Sequence, residues 1–134
     1  MILSMAKPSK REISVLLVDG NLKRRNTLAS RLRVSGFVVE AAIGGFHALN
    51  LSEGKEYSGI LVIEDSDDMP AYEIIALMRQ QHPDKEKHPI LYLGDRSQPE
   101  EIIEMMNIGA NEFVVYNGNF QIVLDKLKHY LKIN

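Results

Sequence analysis

The sequence has no cysteine and no tryptophan among its 134 residues. Without thiols there is no disulfide framework and no thiolate metal site, which fits a reducing, cytoplasmic setting. Long apolar runs are missing too: no stretch approaches the ~20 residues needed to span a bilayer. The opening MILSMAKPSKR has only Met1–Leu3 as an apolar start, well short of the roughly 7–15-residue core of a secretory signal. Residues 1–11 are expected to be a disordered lead-in to one domain at 12–134, as unanchored ends usually are. Neither sign of charge dominates, with 16 Lys and Arg against 18 Asp and Glu and a formal net charge of −2. That balance gives no general pull toward nucleic acid or anionic lipid. The histidines, His47, His82, His88 and His129, are scattered without metal-ligand spacing. No GxGxxG or P-loop pattern is present.

What the sequence does have is alternation. The short apolar runs Ile13–Val18, Phe37–Ala41, Ile60–Ile63, Ile90–Leu93 and Phe113–Val115 are separated by amphipathic stretches. Near-continuous apolar runs mark strands buried on both faces, as in parallel sheets. Ile60–Ile63 is the most apolar and is expected at the centre. Asn21 is a suitable N-cap for a helix over Leu22–Ser35, with Leu28 and Leu32 on one face and Gly36 closing it. Gly44-Gly45 turns into a short helix at Phe46–Ser52. Pro70 opens a helix over Ala71–Gln81, where Ile74, Ile75 and Met78 recur at helical spacing. Ser97 and Pro99 start the next helix, with Glu100 and Glu101 complementing its dipole. Ile102, Ile103, Met106 and Ile108 form its apolar side, and Gly109 stops it. In the last helix, Phe120–Leu131, Ile122, Val123, Leu127 and Leu131 are expected to point inward. Such alternation predicts an α/β, doubly wound (βα)5 three-layer sandwich, flavodoxin-like, with a five-stranded parallel sheet.

Ligands of open α/β sheets bind beyond the carboxyl ends of the strands. The residues there are Asp19-Gly20, Glu64-Asp65, Gly94 and Tyr116. Glu64–Asp68 is an acidic run that reads as a solvated loop or, less simply, a divalent-cation site. Gly44-Gly45 reads as a turn rather than a phosphate cradle.

The segments SVLLVDGN, YSGILVIED, HPILYLGD and IGANEFVVYN, in this order and on this pattern, resemble the receiver domains of two-component response regulators, as in chemotaxis regulators. The resemblance covers about residues 12–132, and NIGANEF is its most family-like stretch. It implies phosphoryl transfer to an aspartate ending the third strand. Mg²⁺ would be held by that acceptor and two acids after the first strand, a hydroxyl after the fourth strand would meet the phosphate, and a lysine after the fifth would neutralise it.

Position by position, this sequence departs from that set. Asp19 matches the first acid, but Gly20 stands at the second. Glu64 best matches the acceptor, with Asp65 its competitor. Gly94 stands at the hydroxyl position beside Asp95, and Tyr116 stands at the lysine position. A lysine–phosphate contact at ~4 Å and an effective dielectric of ~20 is worth on the order of 4 kcal/mol before desolvation. A phenol cannot supply that. The expectation is a pseudo-receiver: a signalling module rather than an enzyme, without cofactor, acting through a protein partner or a fused output domain. It would be a stand-alone protein or the N-terminal piece of a longer one, with no direct nucleic-acid or membrane contact. The alternative is a divergent phospho-accepting receiver using Asp65 or Glu64, with Mg²⁺ held by Asp19.

Plainer readings stand beside these. Asp19 is either a surface acid capping the following helix or a residual metal ligand. Glu64 is either an exposed loop acid or a mimic of a phosphoaspartate. Phe113 stands where receivers carry the aromatic that couples the site to the output face, and it also reads as an ordinary core aromatic. Receivers usually signal through helix four, strand five and helix five. Here that face would set Glu100, Glu101 and Glu104 against Lys126, Lys128 and Lys132, charges suited to a two-fold homodimer contact.

Overall fold

The computed structural model describes residues 12–63, 66–95 and 98–134. The expected lead-in at 1–11, and Ser97 at the start of the fourth helix, lie outside the described residues. The elements are β1 (Ser14–Val18), α1 (Leu22–Val34), β2 (Val38–Ala42), α2 (Gly45–Ser52), β3 (Gly59–Ile63), α3 (Ala71–Gln81), β4 (Ile90–Gly94), α4 (Pro99–Ile108), β5 (Glu112–Val115) and α5 (Phe120–Leu131). The sheet order is β2-β1-β3-β4-β5 with every pairing parallel, so the most apolar strand is indeed central.

Strand periodicity divides the interior in two. Leu16, Val18, Ile60, Val62, Ile90 and Tyr92 face a core closed by α2, α3 and α4, through Ala48, Ile74, Ile75, Met78 and Met105. The residues between them, Val15, Leu17, Leu61, Ile63, Leu91 and Leu93, face the other side. There Leu28 and Leu32 of α1 and Phe120, Val123 and Leu127 of α5 cover them. β3 and β4 are buried along their whole length because both faces are covered.

Two helical expectations fail at the edge of this sandwich. Ile103 of α4 is 60% exposed and Ile122 of α5 is 41% exposed, whereas Met105 is the buried residue of α4. β5 is an edge strand, so the stripe of α4 that meets the sheet is narrow. Helical spacing alone does not reveal how wide that stripe is.

The N-terminal edge of the sheet is braced by Arg79, at the end of α3. Its guanidinium donates to the carbonyls of Gly109 (3.0 Å), His82 (2.7 Å) and His88 (2.9 Å) and to Asn111 Oδ1 (3.0 Å). Asn111 Oδ1 also accepts the Ile90 amide at 2.8 Å, which ties the start of β4 to the start of β5. Gly109 has φ +152, and a Cβ there would stand 2.7 Å from Arg79 Cγ. Conformation and close approach both require glycine at that position. No helix among the described residues is long and apolar enough to cross a membrane.

Candidate functional site

The carboxyl ends of β1 and β4 and the residue following β5 bring Asp19, Gly94 and Tyr116 to one rim of the sheet. Asp19 follows β1 directly, and its amide donates to the Ala42 carbonyl at 3.0 Å. Its side chain is fully buried, which corrects the reading of it as a surface acid. A buried carboxylate needs a paired, hydrogen-bonded setting. Arg24 supplies one as a fork, with Nε 2.8 Å from Asp19 Oδ2 and Nη2 2.7 Å from Oδ1. The Asn21 amide adds a bond to Oδ1 at 2.9 Å, and Arg25 Nη1 donates to the Asp19 carbonyl at 2.9 Å.

The local sequence explains the fork. Asn21 caps α1 by accepting from the Arg24 amide at 2.9 Å, so Arg24 sits in the first turn and folds back over the cap. Lys23, Arg24 and Arg25 crowd the positive end of the helix dipole, where basic residues are unfavourable. The Asp19 carboxylate offsets that cost, and a bidentate guanidinium–carboxylate pair is among the stronger hydrogen-bonded arrangements. Residue-by-residue comparison with a motif misses Arg24, because it lies outside the strand ends. Three consecutive bases opening a helix without an acid, the middle one five residues after a strand-end aspartate, is the signal that would have found it.

The other described positions add no cation and no second carboxylate beside Asp19. Gly20 carries no carboxylate. Gly94 is buried, and its carbonyl accepts the Tyr116 amide at 2.8 Å. Asp95 beside it is exposed. The Tyr116 ring packs on the α1–α5 core. Burial pushes its hydroxyl pKa up, Arg24 and Arg31 pull it down, and Asp19 pushes it up again, with a net rise. Tyr116 is therefore a neutral phenol within the field of the Asp19–Arg24 pair. Glu64 and Asp65, the acceptor alternatives, lie outside the described residues.

Asp68, at the far end of the acidic loop, is not simply solvated. Its carboxylate seats on the N-terminus of α2, accepting the Gly45 amide and the Phe46 amide, each at 3.0 Å. The Phe46 amide holds the Asp68 carboxyl below its ordinary range, against a smaller upward push from burial, and the Gly45 amide adds to the lowering. Gly44-Gly45 thus receives an anion, but the anion is the chain's own.

Among the described residues, no group of three or more His, Asp or Glu could hold a metal ion. Mg²⁺ asks for a near-complete octahedron of oxygens. Here both oxygens of Asp19 are engaged, and a guanidinium charge already lies against them. The described residues do not fit a divalent ion.

At the other end of α4 and β5, the Phe113 ring is partly buried, 5.2 Å from Tyr92. Several charges expected on this side are engaged within the chain. Glu101 accepts the Gln98 amide at 3.1 Å in a capping box. Lys126 pairs with Glu112 at 2.6 Å, and Lys132 approaches Glu86 at 3.8 Å. Glu100 and Glu104 are exposed, and Lys128 is half-buried.

No family model matches the sequence, and no curated protein matches it. Solved structures do. Chemotaxis protein CheY4 of Vibrio cholerae is 27% identical with a TM-score of 0.81, over 89% of this chain and 98% of that one. A CheY-like receiver domain protein of Methanospirillum hungatei is 20% identical with a TM-score of 0.83, over 90% and 94%. The architecture is that of a CheY-like receiver. DrrB of Thermotoga maritima, an OmpR/PhoB homologue, is 19% identical with a TM-score of 0.79, and 53% of its longer chain is covered by 90% of this one. This receiver fold therefore occurs among the neighbours both as nearly the whole solved chain and as about half of one.

Proposed function

We propose that this chain is a receiver-type module of two-component signalling whose phosphoacceptor pocket is degenerate. It acts by contact with a protein partner or a fused output domain, not by aspartyl phosphorylation. The observation that carries this reading is the Arg24 fork on Asp19. It puts a fixed monovalent cation against the one acid after β1 that a receiver would turn toward Mg²⁺. Gly20, Gly94 and Tyr116 support the same reading. Phosphoryl transfer depends on positioning and electrostatic stabilisation, and these residues offer neither a second carboxylate, an aliphatic hydroxyl at the Gly94 position nor an ammonium at the Tyr116 position.

Output would run over α4, β5 and α5. Ile103, Val115 and Ile122 leave that surface with exposed apolar side chains, at 60%, 50% and 41%. Phe113 lies beneath it. Neighbours joined to output regions, such as a probable response regulator/GGDEF domain protein, support a fused arrangement.

Intact-mass spectrometry after incubation with acetyl phosphate and Mg²⁺ tests the proposal. The expected result is no stoichiometric mass gain. Addition of one phosphoryl group, at Asp65 or Glu64, would overturn it in favour of a divergent phospho-accepting receiver. Melting in tens of millimolar Mg²⁺ is the companion measurement, because a ligand of the native state raises stability by RT ln(1 + [L]/Kd). No shift is expected.

A further inference from the structure

Charge is distributed unevenly across the sheet. α1 carries Lys23, Arg24, Arg25, Arg31 and Arg33 and no acid over Leu22–Val34. α4 carries Glu100, Glu101 and Glu104 and no base over Pro99–Ile108. The two helices cover opposite faces, α1 through Leu28 and Leu32 on one core and α4 through Met105 on the other.

Each charged surface also leaves apolar side chains uncovered. Leu22 and Val34 on α1 are 63% and 89% exposed. Ile103 on α4 and Tyr72 at the start of α3 are 60% and 51% exposed. Helix stability does not account for all of these charges. Arg24 and Arg25 meet Asp19, and Arg31 lies over the Phe120 ring, 4.9 Å from its centroid. Lys23 is exposed and stands at the unfavourable end of the dipole. Glu100 and Glu101 suit the start of α4, while Glu104 lies beyond the first turn.

A two-fold contact centred on α4 would set acid on acid, and one centred on α1 would set base on base. A two-fold contact between α4 and α5 would draw on Lys126, which already meets Glu112. Two surfaces of opposite charge, each with exposed apolar side chains and lying on opposite faces of one sheet, fit each other in translation.

We propose that copies of this chain associate head to tail, the basic α1 surface of one against the acidic α4 surface of the next. Such a heterologous contact builds a closed ring or an open row, depending on the rotation between neighbours. The charges make it weak and salt-sensitive, because exposed pairs are screened. The inference does not depend on whether the acceptor loop takes a phosphoryl group.

Sedimentation velocity over a concentration series tests it on the full chain. At low salt the weight-average sedimentation coefficient should climb with concentration. At ~0.5 M salt the apparent association constant should fall by about tenfold or more. Reversing either surface, with Lys23→Glu and Arg31→Glu or with Glu100→Lys and Glu104→Lys, should abolish association. A chain reversed on both surfaces should associate again. Melting curves show that each variant is folded, and the neutral pair Lys23→Gln and Glu104→Gln replaces any that is not, with weakened association expected. A wild-type chain that stays monomeric at low salt overturns the proposal. So does association that survives either single-surface reversal, or that fails to return in the double reversal.

Discussion

Arg24 and Arg79 each anchor one rim of the same sheet, and they do so in opposite ways. Arg79, at the N-terminal rim, donates to three carbonyls and one side-chain amide drawn from the α3–β4 and α4–β5 connections. Burial pushes its guanidinium pKa down, and the more distant Asp84 charge partly restores it. Arg24, at the C-terminal rim, meets a buried carboxylate in a two-pronged pair. A cation shared among neutral oxygens from several segments fixes chain geometry. A cation forked on a buried strand-end acid neutralises charge at the carboxyl end of β1. The same side chain type therefore braces the fold at one rim and neutralises a buried carboxylate at the other.

The contrast breaks most visibly at Arg79. Arg79→Ala removes the guanidinium from three carbonyls and one of the two donors to Asn111 Oδ1, and should cost about 3–5 kcal/mol in urea unfolding. Arg79→Lys should recover little, since one ammonium cannot reach a planar set of acceptors. A loss below ~1 kcal/mol would remove the brace from the account.

Arg24→Ala comes next, at about 2–4 kcal/mol, because it strands a buried carboxylate. Adding Asp19→Asn should return part of the loss, so a double-mutant cycle on the two positions should show coupling of ~1 kcal/mol or more. An additive cycle would mean that the pair is not the unit described.

The smallest effect is at a half-buried analogue of these pairs, where Tyr130 donates to Glu112 at 2.6 Å. Burial and that hydrogen bond push the Tyr130 hydroxyl pKa up to about 12. A raised pKa means the contribution is complete below the unfolded value near 10 and disappears as pH climbs toward 12. Burial pushes the Glu112 carboxyl up, but Lys126 and Tyr130 outweigh it and hold it below its ordinary value. Its contribution therefore disappears as pH falls through the lowered pKa. Tyr130→Phe should flatten the alkaline decline in melting temperature by about 1–3 °C. An unchanged alkaline limb would refute the Tyr130 assignment.

Much of the fold was legible because parallel strands and amphipathic helices write their burial into periodicity. Leu16, Leu28, Ile60 and Ile74 could be assigned to the core from spacing alone. Ile103 and Ile122 could not, because an edge strand gives the overlying helices little to cover. The strand-end residues Asp19, Gly94 and Tyr116 were found by position in the pattern. Arg24 and Arg79 were not, since their roles depend on a side chain reaching back across a cap or across some thirty residues of chain to Gly109 and Asn111.

The seat of Asp68 on α2 carries a consequence for sequence change. A Cβ at Gly44 would stand 2.7 Å from Asp68 Oδ1, and one at Gly45 would press on the Met69 side chain. Any substitution in that glycine pair must be answered at 68 or 69 by a smaller or rotated side chain. The turn before α2 and the loop before α3 are distant in sequence, yet they form one unit of inheritance. Among relatives they should vary jointly or stay fixed together.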